Sequence, residues 1–330
     1  MNLDFKNGVD SVKITILSNN TADITLQTDP RYEGRVVQPG RKAVLAMAEH
    51  GLAMSIEVDG TNILYDFGGM GLTLLKNLKI FQINPMTFQK VVLSHGHFDH
   101  FGALLKLLPI LGPGKEIIVS NFIYKQKIVY VGKSGETINI NTLKKNYRAL
   151  KNEGKIRQMP GLKRFVLDKL IVDNHQHLIE TRKPVELVPG VWTSGEIEIL
   201  DETELSSNLF IMQEKMTFER DTFRDEIAIY INVKEKGLII LTGCGHCGIM
   251  NIIKYGQKLS GIDKIYAVIG GFHLNWSSLA HLNRVLTFFQ EIHPTIICGL
   301  HCTGGYFNAK LITFLPNNAT LGIVGTTFYL

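Results

Sequence analysis

Ser94-His95-Gly96-His97-Phe98-Asp99-His100 places four potential metal ligands within six residues, directly after Lys90-Val91-Val92-Leu93, a run that reads as a buried β-strand. Three histidines and an aspartate are costly in a core unless something satisfies their polar atoms. A divalent ion, or a pair of them, does so, because imidazole suits zinc, iron, manganese or nickel and a carboxylate completes the shell. At this spacing a turning backbone aims His95 and His97 at one ion and Asp99 and His100 at its neighbour. The competing reading is a solvated histidine-rich loop. It fits poorly when three of the 11 histidines in 330 residues crowd into one hexamer behind a strand.

Working outward, Val12–Leu17 alternates apolar and polar residues like a first strand, and Ser18-Asn19-Asn20 breaks it. Residues 28–42 read as a loop. Leu52–Glu57 and Asn62–Asp66 form two strand-like runs around Asp59-Gly60, a hairpin signal. A helical run, Leu72–Leu78, follows. Gly68-Gly69-Met70-Gly71 resembles part of a dinucleotide fingerprint, but Leu74 stands where the third glycine belongs. Gly112-Pro113-Gly114-Lys115 lacks the earlier glycine of a phosphate loop, and no G-x-S-x-G elbow is present. Beyond the motif the pattern predicts a helix over Phe101–Leu108 and a strand over Glu116–Ser120. Residues 121–184 are mixed and basic with weak periodicity. They read as an insertion or lid over the active site, within one domain spanning 1–330.

The last third is strongly patterned. Ordered β structure restarts at Pro189–Gly195. Glu226–Val233 and Leu238–Leu241 read as strands joined by a turn at 234–237, and the second ends in Thr242-Gly243-Cys244-Gly245-His246-Cys247. A helix follows from Ile249. Ile265–Ile269 ends in Gly270-Gly271-Phe272-His273. A helix over His281–Glu291 precedes Thr295–Cys298, which ends in Gly299-Leu300-His301-Cys302-Thr303-Gly304. Three successive strands therefore end in glycine and histidine, as the opening strand does. In layered α/β folds ligands collect at such edges, where turns let backbones approach a site.

Composition sets the frame. With 45% hydrophobic and 20% charged residues the chain is an ordinary globular one, long enough to bury a sizeable core. No apolar run approaches the roughly 20 residues that span a bilayer. The first residues, with Asp4 and Asp10, make no signal peptide, so a cytoplasmic location is expected. The net charge is a mild +5, with nine Lys or Arg residues between Lys144 and Lys169. A solvated basic face is favoured there over a nucleic-acid surface. Oligomeric state is not readable. Four cysteines are too few for a disulfide scaffold.

These residues resemble the metallo-β-lactamase-fold hydrolases, whose signature is Thr/Ser-His-x-His-x-Asp-His after a strand. More narrowly the chain is similar to the subgroup named after dihydropterin–ribofuranosylaminobenzene phosphate synthase. The supporting pieces are Glu49-His50-Gly51-Leu52, Pro189–Ile197, Asp225-Glu226-Ile227-Ala228, Thr242–Ile249, Gly270–Leu274 and His301-Cys302-Thr303-Gly304. The resemblance implies an α/β fold, an αββα sandwich of two mixed β-sheets flanked by helices, with a dinuclear metal site at the sheet edges. It assigns His95 and His97 to the first ion and Asp99, His100 and His301 to the second. Two positions depart from the pattern. Cys244 stands where a bridging aspartate usually follows Thr-Gly, and the usual third histidine is missing, with Asp221 and Asp225 near its place. His246 is the candidate for the missing ligand, and His273 is its competitor or a substrate contact.

Cys244-x-x-Cys247 with Cys298-x-x-x-Cys302 has loose spacing for a four-cysteine zinc knuckle. Cys-Gly-His-Cys before a helix also matches a redox motif, but such domains have no use for His95–His100. Cys244 as a soft ligand replacing a carboxylate is preferred, against a merely buried thiol.

The expected function is that of a metal-dependent hydrolase directing a metal-activated hydroxide at a small, phosphorylated or ester-type substrate. Two ions are expected, zinc first. Asp99 would handle the proton, while His273 and the backbone at Thr303 and Gly304 would stabilise negative charge. The alternatives are a phosphodiesterase or nuclease, a non-catalytic metal-bound sensor, and a pterin-related synthase with Trp276, Tyr306 or Phe307 stacking near the metal.

Overall fold

In the computed structural model the strand that leads into the histidine motif runs from Phe88 to Val92, in the parallel half of a mixed eight-stranded sheet. The structure describes residues 5, 7–32, 34–133, 136–205, 208–213 and 217–330. Thr61–Tyr65 and Glu116–Ser120 flank that strand in parallel, and the C-terminal ends of all three are buried. Such apolar runs are what a sheet covered on both faces demands. Beyond Thr61–Tyr65 the sheet continues antiparallel through Ala53–Val58, Val12–Ser18, Thr327–Tyr329 and Val36–Val37. On the other side His177–Thr181 adds in parallel. The hairpin at Asp59-Gly60 has both residues in the left-handed region, φ 47° and 74°, matching the twist of its strands.

A second, six-stranded sheet is built from Glu186–Val188, Val191–Thr193, Ile229–Val233, Gly237–Thr242, Ile265–Gly271 and Ile296–Leu300. Its first three pairings are antiparallel and its last two parallel. Period-two alternation decides which side chains meet. Ile229, Ile231, Ile239 and Leu241 point between the sheets and pack with Ile14, Ile16, Ile56 and Val92. Tyr230, Leu238 and Ile240 point outward, under the helices Ile249–Ser260 and Leu279–Ile292. On the far side Leu64, Val91 and Val119 pack beneath Gly71–Ile80 and Leu104–Leu107. The layers run helix, sheet, sheet, helix. Each fully buried Ile or Leu contributes about 1.5–3 kcal/mol, so a one-residue slip in any strand would exchange two such faces.

A third sheet, wholly antiparallel, joins Phe218–Arg220, Leu209–Met212, Gln126–Tyr130 and Ile156–Gln158. The helix Ile140–Asn152 lays Leu143 and Tyr147 on Ile128, Phe210 and Phe218. Residues 121–184 are thus shared between this small sheet and the edge of the large one.

Two boundaries differ from the sequence pattern, each for a local reason. The expected strand from Glu226 starts only at Ile229, because the Glu226 side chain turns to bind the loop at 245–247. The expected helix over Phe101–Leu108 is replaced by short turns, Phe98–Phe101 and Leu104–Leu107. Gly102 interrupts them: its N–H donates to Gly68 and Phe98, and a Cβ there would strike the Gly69 carbonyl. Asp99 and His100 consequently sit on a helical turn, whereas His95-Gly96-His97 precedes it. No helix among the described residues is long and apolar enough to cross a membrane.

Candidate metal centre

The motif is held from below by Asp66, at the end of the neighbouring strand. Its Oδ1 accepts from Ser94 N at 2.6 Å and its Oδ2 from Ser94 Oγ at 2.7 Å. The single Ser94 hydroxyl proton is thereby committed. Ser94 Oγ, 2.9 Å from His95 Nδ1, must accept there, which puts the His95 proton on Nδ1 and leaves Nε2 with a free lone pair. A Cβ at Gly243 would run into Ser94 Oγ, so the Thr-Gly step lets the second sheet close on the motif. Gly96 N donates to Asp225 Oδ2 at 2.9 Å.

His246 arrives from the other sheet. The turn carrying it is organised by Glu226, whose carboxylate accepts from Gly245 N, His246 N and Cys247 N at 2.7, 3.0 and 2.6 Å. The His246 ring stacks on Phe223 with centroids 4.2 Å apart and planes 3° apart. Its centroid lies 4.9 Å from that of His95 and 4.6 Å from that of His97. His95 Nε2, His97 Nε2 and both His246 ring nitrogens are buried with no hydrogen-bond partner. An unpaired buried polar atom costs about 1–3 kcal/mol, and four in one cluster make a group that could hold a cation. Burial, reinforced by neighbouring cationic groups, holds all three imidazoles well below their ordinary pKa. They are neutral, the state a ligand needs.

The second group is Asp99, His100, His301 and Cys244, whose ligand atoms all lie within 4.8 Å of one another. His100 donates from Nδ1 to Asp66 Oδ2 at 2.6 Å and turns Nε2 to Cys244 Sγ at 3.1 Å. Asp99 Oδ2 is 3.0 Å from His301 Nε2 and 3.3 Å from His50 Nε2. The first approach lacks hydrogen-bond alignment, since His301 Nε2 stays unpartnered. Burial opposes ionisation of Asp99, yet His301 and His50 hold its carboxyl well below the usual range. His301, at φ 49°, is oriented by Asn20 Oδ1, 2.9 Å from Nδ1.

Cys244 also falls within 4.8 Å of the donors of His95 and His246, so its sulfur stands between the two groups. His97 lies outside that closest set, although its ring centroid is 4.5 Å from that of His95. His273 lies against His246, centroids 3.9 Å apart, with Nδ1 unpartnered. Thr303 is buried, and its hydroxyl accepts from Phe272 N at 3.0 Å. Its hydroxyl thus braces the end of the strand Ile265–Gly271. Gly304, at φ 82°, precedes the helix Gly305–Phe314. Of the aromatic residues, Trp276 is exposed with its ring 5.4 Å from His273, whereas Phe307 is core.

Sequence reasoning missed Asp66, Glu226 as an anchor, Asn20 and the buried Lys127. Asn20 carried a signal, since Ser18-Asn19-Asn20 ends a strand just as the histidine loops do.

A family model described as the metallo-beta-lactamase superfamily matches residues 48–196. A 7,8-dihydropterin-6-methyl-4-(beta-D-ribofuranosyl)-aminobenzene-5'-phosphate synthase of Methanocaldococcus jannaschii is 34% identical over 264 residues, 78% of this chain and 82% of that protein. An uncharacterized protein of the same organism is 30% identical over 278 residues, 84% and 92% of the two chains. The crystal structure of a metal-dependent hydrolase of the beta-lactamase superfamily matches with a TM-score of 0.69 at 22% identity, covering 97% of this chain and 99% of that one, a likeness of fold. Strand order, the motif at the sheet edge and these relatives agree: the chain belongs to the metallo-β-lactamase superfamily.

Proposed function

We propose that the protein is a metal-dependent hydrolase acting on a small phosphorylated or ester-type substrate. The observation that carries this reading is the set of unpartnered, buried imidazole nitrogens of His95, His97 and His246 beside an ionised Asp99. His95, His97 and His246 would hold one divalent ion and Asp99, His100 and His301 a second, with Cys244 between them; such ions supply Lewis acidity and lower the pKa of coordinated water.

The chain's own groups supply the rest. Asp99, held ionised beside His301 and His50, would orient the attacking water by accepting a hydrogen bond from it. His50 Nε2 lies 3.3 Å from that carboxylate, which raises the His50 pKa. Its side chain is 63% exposed, which places an imidazole where an anionic substrate would enter.

The test pairs metal content with turnover on a panel of phosphoesters and lactones. Chelation should abolish turnover and readdition of metal restore it. Asp99→Asn should lower kcat/KM by about 100-fold or more, and His97→Ala should lower metal content. Metal retained without turnover on any substrate of the panel would favour a sensor module and reject the reading.

A pterin-related synthase is the second reading, supported by the 34% identical relative and by Trp276, an exposed aromatic face beside His273. Incubation with a dihydropterin carrying a diphosphate leaving group on its 6-methyl carbon and a ribofuranosyl-aminobenzene 5'-phosphate separates the two: a condensed product with release of diphosphate favours the synthase, and its absence alongside phosphoester cleavage favours the hydrolase.

A further inference from the structure

We infer that Cys302 and His273, together with Cys244, form a further, thiolate-rich position for a soft divalent ion such as zinc or cadmium, adjoining the centre described above and sharing Cys244 with it. Cys244 and Cys302 Sγ and a His273 ring nitrogen all lie within 4.8 Å of one another. The three residues follow three adjacent strands, Gly237–Thr242, Ile265–Gly271 and Ile296–Leu300, the parallel half of the six-stranded sheet.

The backbone makes room for this cluster. A Cβ at Gly271 would sit 2.8 Å from Cys302 Sγ and 3.0 Å from Cys244 Cα. Only glycine there lets the two cysteine loops meet. His273 adopts φ 49°, a left-handed conformation that turns the chain at this strand end, and its Nδ1 is buried without a partner. Cys302 Sγ approaches the Cys244 carbonyl at 3.2 Å.

The other two cysteines show what an ordinary buried thiol does in this fold. Cys298 packs in the apolar layer between the sheets, and Cys247 in the layer under the outer helices. Cys244 and Cys302 belong to neither layer and have polar neighbours instead, so filling apolar space does not account for them. Two thiolates and one imidazole with an open place make a zinc-type donor set, and sulfur selects zinc or cadmium over magnesium or manganese. Cys244 is shared with the groups described above, whereas Cys302 is not.

The test follows the metal and not turnover, so it stands apart from the hydrolase reading. Reduced, metal-free full-length protein is titrated with cobalt(II) and, separately, with cadmium-113. The wild-type protein should develop sulfur-to-cobalt charge-transfer absorbance of two thiolates, and Cys302→Ser should lose about half of it. His97→Ala should keep that absorbance while losing metal from the imidazole side. Full thiolate absorbance in Cys302→Ser overturns the inference. Should that variant fail to fold, the wild-type cadmium-113 spectrum decides: a resonance in the two-thiolate range supports the site, and resonances confined to the range of one or no thiolate refute it.

Discussion

Asp66 Oδ2 lies 2.6 Å from His100 Nδ1, and both side chains are fully buried. The same carboxylate receives Ser94 N and Oγ. One residue on a neighbouring strand therefore orients a histidine of each proposed ion, His100 directly and His95 through the Ser94 hydroxyl. Asp66 itself adopts φ 64°, which aspartate tolerates better than most residues. Partners of this kind typically change metal affinity 10–100-fold when removed.

Asp66→Asn keeps the volume but cannot accept from both Ser94 Oγ and His100 with the same oxygen charge. It should weaken metal binding by about 10–100-fold, read by competition with a chromophoric chelator. Asp66→Ala should also destabilise the metal-free protein by about 1–3 kcal/mol or more, because buried donors lose their acceptor. Unchanged affinity in Asp66→Asn would show that Ser94 alone orients the rings.

The pH response of the metal-free protein follows from opposed shifts. Burial disfavours a charged His100, but Asp66 outweighs it and pushes the pKa up to about 9. An unfolded histidine titrates near ~6.5, so this contribution to stability is full below ~6.5 and is lost as the pH rises through about 9. His95, His97 and His246 are shifted down, mainly by burial. Their contribution is lost as the pH falls below ~6.5, where the unfolded chain takes up protons that the folded one refuses. Metal uptake that displaces the His100 proton should strengthen about tenfold per pH unit from ~6.5 to ~9. A metal-competition series across that window checks it, and a flat response contradicts the assignment of His100.

Lys127 is 2% exposed, with Nζ 2.7 Å from Asp225 Oδ1 and 3.1 Å from Asp221 Oδ2. It also lies 4.6 Å from the centroid of Phe223, the ring stacked on His246. Since Asp225 accepts from Gly96 N, this buried triad ties the small antiparallel sheet to the histidine motif. Lys127→Met leaves two buried carboxylates without a cation and should cost about 3–5 kcal/mol, measured by urea unfolding. Lys127→Met with Asp221→Asn and Asp225→Asn should recover much of that loss. A single variant as stable as the wild type would mean that water reaches the triad.

Long alternating or apolar runs such as Val12–Leu17 and Leu238–Leu241 revealed their strands because burial on a sheet imposes a period that composition records. His95–His100 stood out because its candidate donors are contiguous, and His246, His273 and His301 because each follows a strand and a glycine; the structure brings their rings together. The third sheet was not legible. Its strands are three to five residues long, too short to show a period. Asp66 and Lys127 escaped for another reason: they act on partners 28 and 98 positions away, and a single acidic or basic residue leaves no local pattern. Cys302 was read as part of a family-like segment and of a possible zinc knuckle, and not as a partner of His273, because its closeness to Cys244 depends on Gly271.

Glu226 is 1% exposed and gives both carboxylate oxygens to the three amides of 245–247. The turn that carries Cys244 and His246 is thus a nest of N–H groups filled by the chain's own anion. Glu226→Ala should destabilise the protein by at least ~3 kcal/mol, since three buried donors lose their acceptor at about 1–3 kcal/mol each. Glu226→Gln separates shape from charge. Its amide keeps one acceptor oxygen but turns an NH2 group toward a backbone donor, so the loop should loosen while the sheets remain. Amide exchange at Gly245, His246 and Cys247 should then accelerate far more than exchange in the strand Ile229–Val233, and metal should dissociate faster. Exchange at those three amides as slow as in the wild type would show that the turn holds His246 in place without the carboxylate.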